Sequence, residues 1–124
     1  MLDASGGDDG RVQDMTNDAS VNPLTVTTQP NGDHTVIGIA GEVDAASADQ
    51  VRAAIMDVID AGQANVRVDM SDVSFIDSSG LRVLIAGYKS AHGKGGALTV
   101  SAPSEPVKRL LEITGQLERF VPSK

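Results

Sequence analysis

The hydrophobic and polar positions of this chain follow one period near its beginning and another further on. Apolar and polar residues alternate in LTVTT (24–28), and a second apolar run, HTVIGIAG (34–41), follows the turn residues Pro30, Asn31 and Gly32. Alternation is typical of β-strands that are half buried. Two such runs joined by a Pro-Asn-Gly turn predict a β-hairpin.

Three later segments have apolar residues every three or four positions, which is the spacing of one helix face. Ser47 or Asp44 predicts the start of the first helix and Gly62 its end, while Ser104 and Pro106 predict the start of the third. The three apolar stripes are Ala48, Val51, Ile55, Val58 and Ile59; then Leu81, Leu84, Ile85 and Tyr88; then Val107, Leu110, Leu111 and Thr114.

Short apolar runs lie between these helices. Residues 66–70 and 97–100 predict strands, and residues 120–121 predict a last short strand. The predicted order is therefore β-β-α-β-α-β-α-β. Strands that alternate with amphipathic helices indicate an α/β fold, here a mixed, mostly parallel sheet of four to five strands with about three helices packed on it.

The first 22 residues have a different composition from the rest. They contain five aspartates and one arginine, which gives them a net charge of −4 out of the −7 of the whole chain. They contain few large apolar residues, so they cannot bury enough surface to compensate the entropy of ordering. We therefore predict a disordered acidic tail over residues 1–22 and one folded domain over residues 23–124.

Composition excludes several classes of function. Aromatic residues are only 2% of the chain and no basic stripe is present, which argues against nucleic acid or an anionic membrane surface as partner. The chain has no cysteine, so disulfides and thiolate chemistry are excluded. It has no signal peptide at its start and no apolar run of the roughly 18 residues that a membrane helix needs. We predict a cytoplasmic protein without a cofactor.

The segment FIDSSGL (75–81) contains the most informative group of polar residues. It connects a predicted strand to a predicted helix, whose first backbone N–H groups lack partners within the helix. A serine there suits the role of helix cap and also that of phosphoacceptor, because the helix N-terminus favours negative charge. The neighbouring carboxylate of Asp77 would repel a phosphate. The residues alone leave both interpretations open.

Catalytic and metal-binding interpretations fit less well. The segment is not a G-x-S-x-G nucleophile elbow, and only His34 and His92 could serve as its base. Asp69, Asp72 and Asp77 could suggest Mg²⁺ or an aspartyl-phosphate receiver, but acids at strand ends commonly cap turns. The segment HGKGG lacks the Lys-Ser/Thr pair of a phosphate-binding loop. We expect no metal and no enzymatic activity.

The segment Glu42-Val43-Asp44 also has two interpretations. It is either a turn with a helix-capping aspartate or a polar edge close to the serine turn, available to a partner. Periodicity does not decide between them.

From about Leu24 to Val121 the chain resembles the STAS domain of bacterial anti-sigma factor antagonists. The resemblance is carried by GEVD (41–44), by FIDSSGL (75–81), and by the helix SEPVKRLL (104–111) with the following TGQL (114–117). It implies a switch without catalysis. The unphosphorylated form binds an anti-sigma factor that is also a serine kinase, which releases the sigma factor; phosphorylation ends the binding, and a serine phosphatase restores it.

In that family the modified hydroxyl is the first after the aspartate, which corresponds to Ser78, and Ser79 is a supporting residue at the helix start. We expect the protein to be monomeric when free. Family domains usually finish with a further helix, whereas this chain stops at Lys124. The implied partner-binding residues are Glu42, Asp44, Asp77, Ser78, Ser79, Gly80 and Leu81.

Two other functions remain as alternatives. One is a STAS module of a transporter or lipid-trafficking complex that is not phosphorylated. The other is a phosphoryl-transfer enzyme or receiver acting through Asp77.

Overall fold

The computed structural model describes residues 24–121. The tail predicted for residues 1–22 lies outside the described residues. Between Leu24 and Val121 no helix is both long and apolar enough to cross a membrane.

Four strands and four helices follow one another in the described part of the chain. They are β1 (Thr25–Asn31), β2 (His34–Val43), α1 (Ala48–Asp60), β3 (Asn65–Ile76), α2 (Ser78–Gly93), β4 (Ala97–Ser101), α3 (Glu105–Ile113) and α4 (Leu117–Phe120). The strands form one sheet in the order β1-β2-β3-β4, with β1 antiparallel to β2 and the other pairs parallel. The predicted mixed, mostly parallel sheet is confirmed.

The apolar periodicity corresponds to the buried surface. Thr35, Ile37 and Ile39 alternate along β2 and are at most 4% exposed, and the whole predicted stripe of α1 is buried. Each aliphatic side chain buried in this way contributes roughly 1.5–3 kcal/mol relative to an exposed one. Because β2, β3 and β4 are parallel, their C-terminal ends lie along one side of the sheet, which we call the carboxyl edge.

Strand β3 is longer than its sequence pattern predicts. We expected a strand over residues 66–70, but it continues to Ile76. Its pairing with β2 shifts twice, each time with one extra residue in β3, so the buried positions become Met70, Val73 and Ile76 instead of alternating. Each bulge changes the face of the sheet on which the following side chains lie. Because the strand ends only at Ile76, Asp69 and Asp72 lie within it and not at its end.

The strand predicted at residues 120–121 is wrong. Phe120 is the last residue of the single-turn helix α4, and its backbone N–H donates to the Gln116 carbonyl, 3.3 Å away. The Phe120 ring is fully buried and packs edge-on against Tyr88, with ring centroids 5.7 Å apart, while the Arg119 guanidinium lies 5.2 Å from the same Tyr88 ring. This aromatic packing stabilises the helical turn. A strand of only two residues with no neighbouring strand would gain no comparable stabilisation.

Candidate functional site

The two motifs that the sequence singled out lie side by side at the carboxyl edge. Val43 at the end of β2 pairs with Ile76 at the end of β3. The backbone N–H of Asp77 donates to the Val43 carbonyl across a distance of 3.2 Å. The GEVD segment and the serine turn are far apart in the sequence, and the parallel pairing of their strands brings them together.

Gly80 allows this close approach. It is buried, and a Cβ added there would lie 2.7–2.9 Å from side-chain carbons of Ile76 and Val43. No larger residue fits without displacing one of the two strand ends. Leu81 is also buried, at 9% exposed. These two predicted partner-binding residues therefore shape the base of the turn, and their side chains present little surface to a partner.

The helix cap of α2 is Asp77 and not a serine, which corrects one of the two interpretations of the turn. Asp77 has an extended backbone, and its Oδ1 accepts the backbone N–H of Ser79 at 2.8 Å. Aspartate is as good an N-cap as serine, so it takes that role one residue earlier than expected. Ser78 and Ser79 are thus the first two residues of the helix.

The two serines have different environments. Ser78 is exposed, and its hydroxyl makes no hydrogen bond to another group in residues 24–121. Ser79 is half-buried and lines a groove between α1 and α2. The hydroxyl of Ser78 is therefore the one that an enzyme approaching the carboxyl edge can reach.

Asp44 holds the turn that leads into α1. Its Oδ1 accepts the backbone N–H groups of Ala46 and Ser47 at 3.0 and 3.1 Å, and the Ser47 hydroxyl lies 2.8 Å from the Glu42 carbonyl oxygen. Asp44 and Glu42 are half-buried. The segment is therefore a turn held by Asp44, but the N-cap position of α1 is Ser47 and not the predicted aspartate. Glu42 and Asp44 also lie at the carboxyl edge, beside Asp77.

The residues considered for catalysis and metal binding are not brought together in the described part of the chain. Within residues 24–121 no three His, Cys, Asp or Glu residues are grouped so that they could hold a metal ion. Asp69 instead accepts the hydroxyl of Ser71 at 2.8 Å on strand β3. His34 begins β2, at the edge of the sheet opposite Ser78, and His92 lies in the last turn of α2. Neither imidazole is placed to activate Ser78.

A groove lined by two arginines lies beside the turn, and the sequence pattern did not predict it. Arg52 on α1 and Arg82 on α2 line the groove that Ser79 also lines, and both arginines are exposed. The available signal was the spacing of Arg82, four residues after Ser78 and therefore one helical turn away.

We predict that Asp77→Ala lowers the free energy of unfolding by about 1 kcal/mol, because α2 loses its side-chain cap. Urea unfolding followed by circular dichroism measures the difference. Ser104→Ala is the matched control, since Ser104 also occupies an N-cap position but makes no capping hydrogen bond. An equal loss in both variants, or no loss in Asp77→Ala, would contradict the assigned cap.

Comparison with known proteins agrees with this geometry. The family model described as the STAS domain matches residues 25–123. The chain is 35% identical over 92 residues to the anti-sigma-B factor antagonist of Bacillus subtilis (strain 168), which covers 74% of this chain and 84% of that protein.

Solved structures share the fold. An anti-sigma factor antagonist from Mycobacterium paratuberculosis superposes with a TM-score of 0.72 at 26% identity, over 82% of this chain and 87% of that one. The anti-sigma factor antagonist SpoIIAA in its unphosphorylated form superposes with a TM-score of 0.69 at 20% identity, over 81% and 89% of the two chains. The order of strands and helices, the serine turn and the family match lead to one conclusion: this chain belongs to the STAS domain family.

Proposed function

We propose that this protein is an anti-sigma factor antagonist whose binding is controlled by phosphorylation of Ser78. In its unmodified form it binds an anti-sigma factor that is also a serine kinase, and the sigma factor is released. Phosphorylation of Ser78 ends this binding, and a serine phosphatase restores it. The relatives that carry the name anti-sigma factor antagonist support the proposal.

The observation that carries the proposal is the exposed position of Ser78 at the start of α2. Its neighbours are fixed by the Asp77 cap and by the close packing of Gly80. A kinase therefore meets a serine whose backbone is already held in the helix, which favours transfer because less ordering of the substrate is needed. Around it lie the polar residues of the proposed partner surface: Glu42, Asp44, Asp77 and Ser79.

The chemistry is supplied by the partners. The kinase forms a bond between the Ser78 Oγ and the γ-phosphorus of ATP, the hydroxyl proton passes to a base of the kinase, and ADP leaves. The phosphatase adds water to the phosphorus and returns the serine and inorganic phosphate. The protein itself performs no catalytic step, so we assign it no enzymatic activity. We place it in the cytoplasm, where ATP and sigma factors occur, as a monomer when free.

The direct test is phosphorylation by the cognate anti-sigma factor kinase with ATP, followed by peptide mapping in a mass spectrometer. We expect one phosphate, on Ser78. Ser78→Ala should abolish incorporation, whereas Ser79→Ala should retain at least about half of the wild-type rate, because Ser79 is the half-buried residue.

Phosphate on Ser79 alone, or incorporation that survives Ser78→Ala, would contradict the proposal. Purification of the bound partners separates it from the alternative STAS function. An ATP-binding anti-sigma factor supports the proposal, and membrane transport subunits together with no phosphate on Ser78 refute it.

A further inference from the structure

Two arginines near the serine turn have no acidic partner among residues 24–121. Arg52 and Arg82 are exposed, and neither forms an ion pair with a carboxylate in residues 24–121, where Asp60 pairs with Lys94 and Asp33 lies beside the His34 ring. Both line one groove of about 330 Å³ between α1 and α2. The other lining residues are Ala45, Ala48, Asp49, Ser79, Val83 and Ala86. Among the described residues the groove has two guanidinium groups and one carboxylate, so its lining is net positive in a chain whose net charge is −7.

Arg82 has a particular position relative to Ser78. The two residues are four apart within α2, which spans Ser78–Gly93. Residues at this spacing are neighbours on the helix surface, with Cβ atoms about 5–6 Å apart. An acidic group placed N-terminal to a basic one at this spacing is the favourable orientation. A phosphate on Ser78 would therefore lie within reach of the Arg82 guanidinium.

Phosphorylation of Ser78 creates an electrostatic conflict that needs such a cation. The phosphate brings about −1.5 to −2 charges next to the carboxylate of Asp77. Glu42 and Asp44 lie at the same edge, and Asp49 lies in the groove. Repulsion between like charges would destabilise the dianion and work against the Asp77 cap. Arg82 is the basic residue placed to offset this repulsion from within α2.

We propose that Arg82 binds the phosphate on Ser78 within the same molecule, and that Arg52 adds a weaker contribution from α1. The inference rests on the proposed function, because it concerns the phosphorylated form of that switch. The planar guanidinium of Arg82 donates two parallel hydrogen bonds to phosphate oxygens, which a lysine cannot do. The phosphorylated turn thereby keeps its helix and its cap, so that the modification changes the surface of the protein and not its fold.

The experiment uses the full chain with phosphoserine installed at position 78 during translation, so no kinase or partner is needed. The ³¹P chemical shift is followed by NMR from about pH 4 to pH 8, and gives the pKa for loss of the second phosphate proton, ordinarily about 6. Because Arg82 favours the dianion, Arg82→Ala should raise this pKa by about 0.5, a roughly threefold change in proton affinity. Arg82→Lys should give an intermediate value, and Arg52→Ala a smaller rise than Arg82→Ala.

Lys89→Ala is the matched control, since Lys89 is an exposed base on the same helix two turns further from Ser78. It should change the phosphate pKa by less than about 0.1, because screening weakens interactions over this distance. Equal pKa values in wild type and Arg82→Ala would overturn the proposal, as would an equal rise in Lys89→Ala. The phosphate pKa tests only the contact with Arg82, whereas the kinase mapping tests whether Ser78 is phosphorylated. Either experiment can fail while the other succeeds.

Discussion

Phosphorylation of Ser78 is expected to weaken binding to the anti-sigma factor by more than about a hundredfold. Such a loss corresponds to roughly 3 kcal/mol of binding free energy. Calorimetric titration of the anti-sigma factor with the unmodified and the phosphorylated protein measures it directly. The far-UV circular dichroism of the two forms should be the same, because the phosphate is added to an exposed helix start.

The size of the effect follows from the position of Ser78. Phosphorylation adds a doubly charged group at the centre of the proposed partner surface, where Asp77, Asp44 and Glu42 already place carboxylates at one edge. A partner surface that fits the unmodified hydroxyl must then accommodate a bulky anion and remove water from it. Removing a charged group from water without a compensating partner costs several kcal/mol.

Matched variants distinguish the effect on affinity of a charge at position 78 from the effect of the same charge elsewhere on the surface. Ser78→Ala should bind within about threefold of wild type, and Ser78→Asp, which adds a single charge, should bind at least about tenfold more weakly. Gln63→Glu adds the same charge at the exposed position before β3, at the opposite edge of the sheet. It should leave binding unchanged. Unchanged affinity in Ser78→Asp, or an equal loss in Gln63→Glu, would contradict the switch.

Elements with a regular apolar period were predictable from the sequence. The second strand of the hairpin, the stripe of α1 and the strand at residues 97–100 each bury one regular face, so composition and spacing alone locate them. The first strand of the hairpin alternates in sequence but is almost wholly exposed. The turn at residues 75–81 was also identifiable, because it combines a capping residue, two hydroxyls and a glycine. The contact between this turn and the GEVD segment follows from parallel strands but needs their register, which periodicity does not supply.

Other features depend on contacts between distant residues. The bulges of β3 break the alternation from which a strand is recognised, so the sequence pattern predicted only its first half. The N-cap of α2 is Asp77 and not a serine because one hydrogen bond decides where the helix starts. Three adjacent residues that can all act as caps leave this choice open in the sequence. The basic groove requires α1 and α2 to be packed together before Arg52 and Arg82 meet.

The chain contains two phenylalanines with opposite environments, Phe120 and Phe75. Phe120 is fully buried and contacts the Tyr88 ring, whereas Phe75 is 45% exposed beside the serine turn. Tyr88 also stacks on His92, with ring centroids 6.0 Å apart. Through its contact with Tyr88, Phe120 connects α4 to the C-terminal half of α2. The position that the sequence pattern assigned to a strand is therefore a main anchor of the core.

Phe120→Ala should lower the free energy of unfolding by about 3–5 kcal/mol, because it removes the ring and leaves a cavity that the neighbouring helices fill only in part. Phe75→Ala removes the same atoms from a half-exposed position and should cost less than about 1.5 kcal/mol. Urea unfolding of both variants under the same conditions gives the two values. Equal losses would show that α4 is not packed as described. Since domains of this size are commonly stable by only about 5–15 kcal/mol, Phe120→Ala removes a large share of the stability without changing a residue of the proposed switch.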